Sequence, residues 1–219
     1  SVQRAVVTIG FEAVKELALA TTVVDCVQRA RQSVLEAADF WMHSFGAGKA
    51  AQLLAISSGR ADAAPLCFTA GILHDLGKLL LAITLGAEYR QHTRYARQLG
   101  LRLCDVEQRE YGIDHAEIGE AFLRHWRVPG TICDCVKYQY VPAAYPGEHR
   151  LEVAIVSASS EISRLCQFGN GGDDGPFRLP PFHDLACGPS AEALTETIAA
   201  LPPFRAEAAE LLNVLRPTE

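Results

Sequence analysis

The sequence lacks any unbroken apolar run approaching the roughly 20 residues that a membrane-spanning helix requires. Its continuous apolar stretches, such as Leu79 to Ile83 and Val153 to Val156, are far shorter, so no transmembrane segment and no membrane partner are expected. A basic surplus is missing as well. Lys and Arg number 20 against 26 Asp and Glu, giving a formal charge of -6 and a pI near 5.7, which argues against a surface that neutralises nucleic-acid phosphates. No charged-then-apolar leader is present, which points to the cytoplasm. The chain also opens on Ser1 rather than Met and enters a helix-like pattern almost at once, as a part of a longer polypeptide would. Strand-like alternation is scarce, and there is no internal repeat.

Seven cysteines are present, Cys26, Cys67, Cys104, Cys133, Cys135, Cys166 and Cys187, scattered through helical patterns in a chain too large to need disulfide staples. They read as reduced thiols. Cys133-Asp134-Cys135 is tighter than the usual CxxC metal spacing, and no second close pair completes a four-sulfur set.

What remains is a chain of 219 residues, 49% hydrophobic with a mean hydropathy of +0.08, sufficient for one full core. Abundant Ala and Leu with apolar residues at i, i+3 and i+4 predict an all-α domain. A first amphipathic helix is expected over Phe11 to Val24, with Phe11, Val14, Leu17, Ala18 and Thr21 on one stripe, and a second around Val27 to Leu35. Asp39 is expected to cap a third, which carries His43 and stops at Ser57-Ser58-Gly59. Pro65 suits a first helical turn before Leu66 to His74, and Gly77 marks a bend. Further helices are expected over Leu79 to Leu85, Glu88 to Leu99 and Leu103 to Tyr111. Asp114 should cap His115 to Trp126, with Glu117 in the first turn. Thr131 to Tyr138 and Leu151 to Phe168 follow, separated by a loop from Pro142 to Gly147. Gly169 to Pro181 holds four glycines, two acids and three prolines and reads as an exposed loop. Ser190 to Leu201 and Pro203 to Leu215 should pack as a helical appendage on the main bundle. The expected domain boundaries are 1–168 for the main helical domain, 169–189 for the loop and 190–219 for the appendage.

The chemistry concentrates in Gly71-Ile72-Leu73-His74-Asp75-Leu76-Gly77-Lys78. A histidine beside an aspartate at a helix bend can present an imidazole nitrogen and a carboxylate oxygen to one cation. His92, His125, His149 and His183 have no such context and read as surface or locally hydrogen-bonded residues. His125, beside Trp126, could also be a partly buried core histidine.

Leu73-His74-Asp75-Leu76-Gly77-Lys78 resembles the signature of the HD superfamily of metal-dependent phosphohydrolases. Trp41-Met42-His43-Ser44, Ala70-Gly71-Ile72-Leu73-His74-Asp75 and Tyr111-Gly112-Ile113-Asp114-His115-Ala116-Glu117-Ile118-Gly119 follow in an order and spacing similar to the HDOD domain, a signalling output relative of the HD and HD-GYP enzymes. Val2 to Gly10 resembles the segment that follows an N-terminal helical portion in that family, which implies that such a portion precedes Ser1. The resemblance covers Ser1 to about Phe168. It implies an HD-like helical bundle and a metal set of His43, His74, Asp75 and His115, able to hold one divalent ion such as Fe, Mn or Zn. Lys78 is the candidate catalytic helper for phosphate charge, and its plain alternative is an exposed residue just after a bend. The four ligand candidates have a plain alternative too: His43 and His115 can donate hydrogen bonds to Asp75 in a packed core without an ion.

Departures from the enzyme pattern shape the functional expectation. Where the HD-GYP branch has further histidines, this chain reads Lys137-Tyr138-Gln139-Tyr140, so a second metal has no holders. The late aspartate of the HD site aligns with Ser160, and the adjacent Glu161 lies about 100° away around a helix. Ala144-Tyr145-Pro146-Gly147 resembles a Gly-Tyr-Pro element but reads as a turn. The expectation is a noncatalytic signal-transduction domain with a protein partner. The alternative is a metal-dependent phosphohydrolase acting on a nucleotide or cyclic dinucleotide, and a sensor binding a small ligand in the pocket fits the same pattern.

Overall fold

The computed structural model describes residues 37–172 and 188–214. The helices expected over Phe11 to Val24 and Val27 to Leu35 lie outside these residues, as do His183, Cys26, Cys187 and the loop beyond Gly172. Among the described residues the chain is all-α. Its helices are α1 (Ala37–Ser57), α2 (Ala64–Leu73), α3 (Leu76–Leu85), α4 (Ala87–Leu99), α5 (Leu103–Tyr111), α6 (His115–His125), α7 (Gly130–Lys137), α8 (Arg150–Leu165), α9 (Ala191–Ala200) and α10 (Arg205–Val214).

Small residues set the packing. A Cβ on Gly71 of α2 would lie 2.7 Å from the Gly48 Cα of α1, so these two helices meet backbone to backbone. That contact requires Gly at both places, because any side chain would hold the axes apart. Helix α1 runs through the middle, with α2, α8, α9 and α10 against it. One apolar cluster on this side joins Leu54, Ala55, Cys67, Ile155, Ile162, Phe168 and Leu201. A second cluster joins Leu73, Leu76, Leu79, Leu123, Ile132, Val136 and Val153, uniting α2 and α3 with α6, α7 and α8. The candidate site lies where these layers meet.

Several expected boundaries hold. Pro65 sits in the first turn of α2. Asp114 caps α6 through a full capping box: its Oδ1 accepts from the Glu117 N–H at 2.9 Å, and Glu117 Oε2 accepts from the Asp114 N–H at 3.2 Å. Other boundaries need correction. Asp39 lies within the first turn of α1 rather than at its cap, where its charge still favours the helix dipole. The break between α2 and α3 falls at His74–Asp75, not at Gly77. Gly77 is helical, and its missing Cβ leaves room for the His115 carbonyl oxygen of α6.

The stretch Ala64–Leu85, taken end to end, has the length and composition of a membrane span, with a mean hydropathy of 1.6 in its most apolar window. It is not an unbroken apolar run, because His74, Asp75 and Lys78 interrupt it. In the fold it is α2 and α3, and 72% of that window is buried inside the bundle.

The described cysteines carry no disulfide. Cys67, Cys104, Cys133 and Cys135 are buried and Cys166 is half-buried. Burial pushes the Cys67 thiol up to about 12, an inert core position rather than a reactive one.

Candidate metal centre

The tight α1–α2 contact brings His43 and His74 together, with ring centroids 5.2 Å apart. The break after α2 turns Asp75 to the same point. One donor atom each from His43, His74 and Asp75 lies within 4.8 Å of the others. His74 Nε2 is 3.3 Å and His43 Nε2 is 3.7 Å from Asp75 Oδ2. The close approach of α3 to α6 at Gly77 sets His115 beside them, its Nε2 3.5 Å from Asp75 Oδ1. These four residues and Lys78 are each only 0–2% exposed.

His74 Nδ1 donates to the Gly71 carbonyl at 2.6 Å. A carbonyl only accepts, so this bond places a proton on Nδ1 and leaves Nε2 as the ring atom that faces Asp75. Burial, together with nearby His74, pushes His43 down to about 3, which keeps that ring neutral near pH 7. Burial alone would raise the Asp75 carboxyl, but the His74 ring, the Lys78 ammonium and hydrogen bonding hold it well below the usual carboxylate range. His74 Nε2, His43 Nδ1 and Asp75 Oδ1 are all buried without a hydrogen-bond partner. Two imidazoles against a carboxylate form a donor set suited to a borderline divalent ion such as Fe, Mn or Zn.

Lys78 is not an exposed residue after a bend. It is 2% exposed, and its Nζ donates to Asp75 Oδ2 at 2.8 Å. A protein cation therefore already sits on the carboxylate.

His115 differs in chemistry from the other two rings. Its Nδ1 and its backbone N–H both donate to Glu107 Oε2, at 2.5 and 2.9 Å, while Glu107 Oε1 accepts from the Tyr89 hydroxyl at 2.5 Å. Burial would lower the ring, yet the Glu107 carboxylate beside it lifts it to about 9. His115 is therefore an imidazolium in a buried ion pair, with Nε2 on the Tyr140 hydroxyl at 2.8 Å. To serve as a fourth ligand it must release a proton and exchange Tyr140 for the ion.

Glu107 and Tyr140 are the site residues that motif reading misses. A signal for Glu107 exists: it stands four residues after Leu103 on the buried face of α5, among Leu103, Cys104 and Val106. An acid on an apolar stripe needs a buried partner. Tyr140 carries no comparable mark.

Ser160 faces the site, its Oγ 3.5 Å from His43 Nε2, while Glu161 turns aside to Arg164 at 3.1 Å. Gln139 serves the backbone, donating to the His74 and Val136 carbonyls at 2.7 and 3.1 Å. The remaining described histidines stand apart from the cluster. His92 pairs with the Tyr111 hydroxyl at 2.5 Å. His125 and His149 are exposed, so His125 is a surface residue packed edge-on against Trp126 rather than a core histidine.

Gly169 to Gly172 depart most from expectation. Rather than an exposed loop, they lie against α1, and Gly171 is buried directly over the cluster. A Cβ there would be 2.6 Å from His43 Cδ2 and 2.8 Å from Asp75 Oδ2.

The family profile of the HDOD domain matches residues 1–142 of this chain. Among solved structures, the chain is similar to an HDOD domain protein of unknown function from Geobacter sulfurreducens, with a TM-score of 0.69 and 23% identity over 98% of this chain and 72% of that one. It is also similar to a candidate signal transduction protein from Marinobacter aquaeolei VT8, with a TM-score of 0.66 and 19% identity over 80% of this chain. A candidate phosphohydrolase from Shewanella amazonensis SB2B aligns with a TM-score of 0.55 and 20% identity over 81% of this chain. This chain spans 39% of the Marinobacter protein and 61% of the Shewanella protein. At these identities the likeness establishes a shared fold. No match was found among curated proteins.

Proposed function

This chain belongs to the HDOD domain family, and from that premise we propose that it is a regulatory signal-transduction output domain without hydrolytic turnover, working through a protein partner in the cytoplasm. The observation that carries this reading is the closed state of the cluster. His43, His74 and Asp75 are almost wholly buried, with the Lys78 ammonium already on Asp75 Oδ2. A phosphoester must reach a hydrolytic centre, and no group of this cluster offers it a face. Ser160, a hydroxyl, stands where HD enzymes would place a final carboxylate, and a hydroxyl brings neither charge nor general-base strength.

One donor atom each from His43, His74 and Asp75, all within 4.8 Å of one another, suits one divalent ion. His43, His74 and Asp75 would hold it, with His115 as the fourth candidate. When bound, such an ion supplies water activation and phosphate-charge neutralisation. In that setting Lys78 would stand beside the carboxylate as the group nearest to incoming negative charge. This donor set, together with the fold shared with the Shewanella protein, favours a second reading, a phosphohydrolase acting on a nucleotide or cyclic dinucleotide.

Elemental analysis of the purified protein, combined with phosphodiesterase and nucleotidase assays, separates the two. The regulatory reading predicts no turnover with any added metal, whether or not an ion is bound. Turnover that Asp75→Ala abolishes would establish the phosphohydrolase instead.

A further inference from the structure

The chain leaves α8 on a path that brings it back across the site. Gln167 and Gly169 both adopt left-handed backbone, at φ of 59°. Between them Phe168 is fully buried against Gly46 of α1, where a Cβ would lie 2.5 Å from the phenylalanine Cβ. The Asn170 N–H then donates to the Asp39 carbonyl at 3.2 Å, and the Asn170 Oδ1 accepts from the Gly172 N–H at 2.7 Å. These anchors hold Gly171 over His43 and Asp75. Each step depends on a missing side chain. Gly46 admits Phe168, Gly169 lies against the Asp39 carbonyl oxygen, and Gly171 leaves just enough room for the imidazole and carboxylate.

We propose that Phe168 to Gly172 form a strap that seals the His43–His74–Asp75 cluster, and that access to the cluster is governed by release of this strap from α1. A partner that drew these residues away would open the site, and whatever entered the site would in turn favour the open strap, because coupling between two sites is reciprocal. The strap gives the closed state of the cluster a cause in the chain's own backbone. This inference takes from the proposed function only the identity of the cluster, and it does not require a bound ion.

The test reads imidazole access without any metal. The full chain is treated with diethylpyrocarbonate and the modification rate at each histidine is followed by peptide mass spectrometry, with exposed His125 and His149 as internal references. In the native sequence His43 should react far more slowly than either reference. Gly169→Ala removes the anchor without touching the cluster, because alanine is strained at this left-handed position. It should speed His43 modification roughly tenfold or more while leaving His125 and His149 unchanged. Asn170→Ala, which imposes no backbone strain, should produce a smaller acceleration. Gly59→Ala places the same left-handed strain at the far end of α1 from His43, where a Cβ meets nothing within 4 Å, and controls for general loosening, so it should leave His43 slow. Unchanged His43 reactivity in both strap variants, or equal acceleration by Gly59→Ala, would overturn the proposal. A parallel titration with Co(II) keeps the two readings apart. Faster His43 modification without Co(II) binding supports the strap and removes the ion, whereas Co(II) binding at the native rate in both strap variants contradicts the strap alone.

Discussion

Replacing Glu107 probes the buried electrostatics of the site most sharply. Its carboxylate accepts three hydrogen bonds, from the Tyr89 hydroxyl, the His115 N–H and His115 Nδ1, and both ionised partners are fully buried. Glu107→Ala deletes the counter-charge and leaves three donors without an acceptor. Removing one member of a buried ion pair costs about 3–5 kcal/mol, a large share of a domain stability on the order of 10 kcal/mol. Glu107→Gln behaves differently. Its amide oxygen can take the Oε2 position and accept both His115 donors, and its NH2 can donate to the Tyr89 hydroxyl, which rotates to accept. The hydrogen bonds are kept and the counter-charge is lost, so the cost should lie below that of alanine by about 1–2 kcal/mol, the share of the retained hydrogen bonds. Urea denaturation followed by circular dichroism measures both variants, with equal slopes required before the midpoints are compared. An alanine cost below about 1 kcal/mol would refute the buried ion pair, and a glutamine cost equal to that of alanine would refute the hydrogen-bond arrangement.

Gly77→Ala drives a Cβ into the His115 carbonyl oxygen, backbone against backbone, and should cost about 3 kcal/mol or more in urea; a neutral result would mean that α3 and α6 are farther apart. Asp114→Ala removes one side of the capping box and should lower stability by about 1–2 kcal/mol, read as a drop in thermal midpoint. Lys78→Met removes the ammonium that competes for Asp75 Oδ2, so Co(II) followed by visible absorption should bind at least about tenfold more tightly, equivalent to 1.4 kcal/mol. Weaker Co(II) binding in that variant would show that Lys78 supports the ion rather than replacing it.

The legible parts of the fold were those written in local patterns. Pro65, the Asp114–Glu117 pair and the 3.6-residue spacing of apolar side chains each act within a few residues, so the helix order could be read directly. Gly77 and Gly169 to Gly172 misled because glycine has two uses. Local reading treats it as a breaker, whereas here Gly77 and Gly171 allow close approach to distant groups, a requirement set by residues far away in sequence. Asp39 misled for a smaller reason, since an acid favours both the cap and the first turn. At the site, motif spacing singled out His43, His74, Asp75 and His115, and the fold brings them around one carboxylate. The environment of the site was not legible. Lys78 is buried only because α3 faces inward there, and Tyr140 reaches His115 across 25 residues of sequence. Glu107 was the one neighbour with a local sign, an acid on an apolar helix face.

In the regulatory reading proposed above, this HDOD domain keeps an HD-type cluster sealed and without turnover. The most direct test is the difference in phosphodiester turnover between the native chain and Asp75→Ala, each supplied in turn with Mn(II), Fe(II) and Zn(II) and assayed on a cyclic dinucleotide. The two should be indistinguishable with every metal. Turnover by the native chain that vanishes in Asp75→Ala would contradict it.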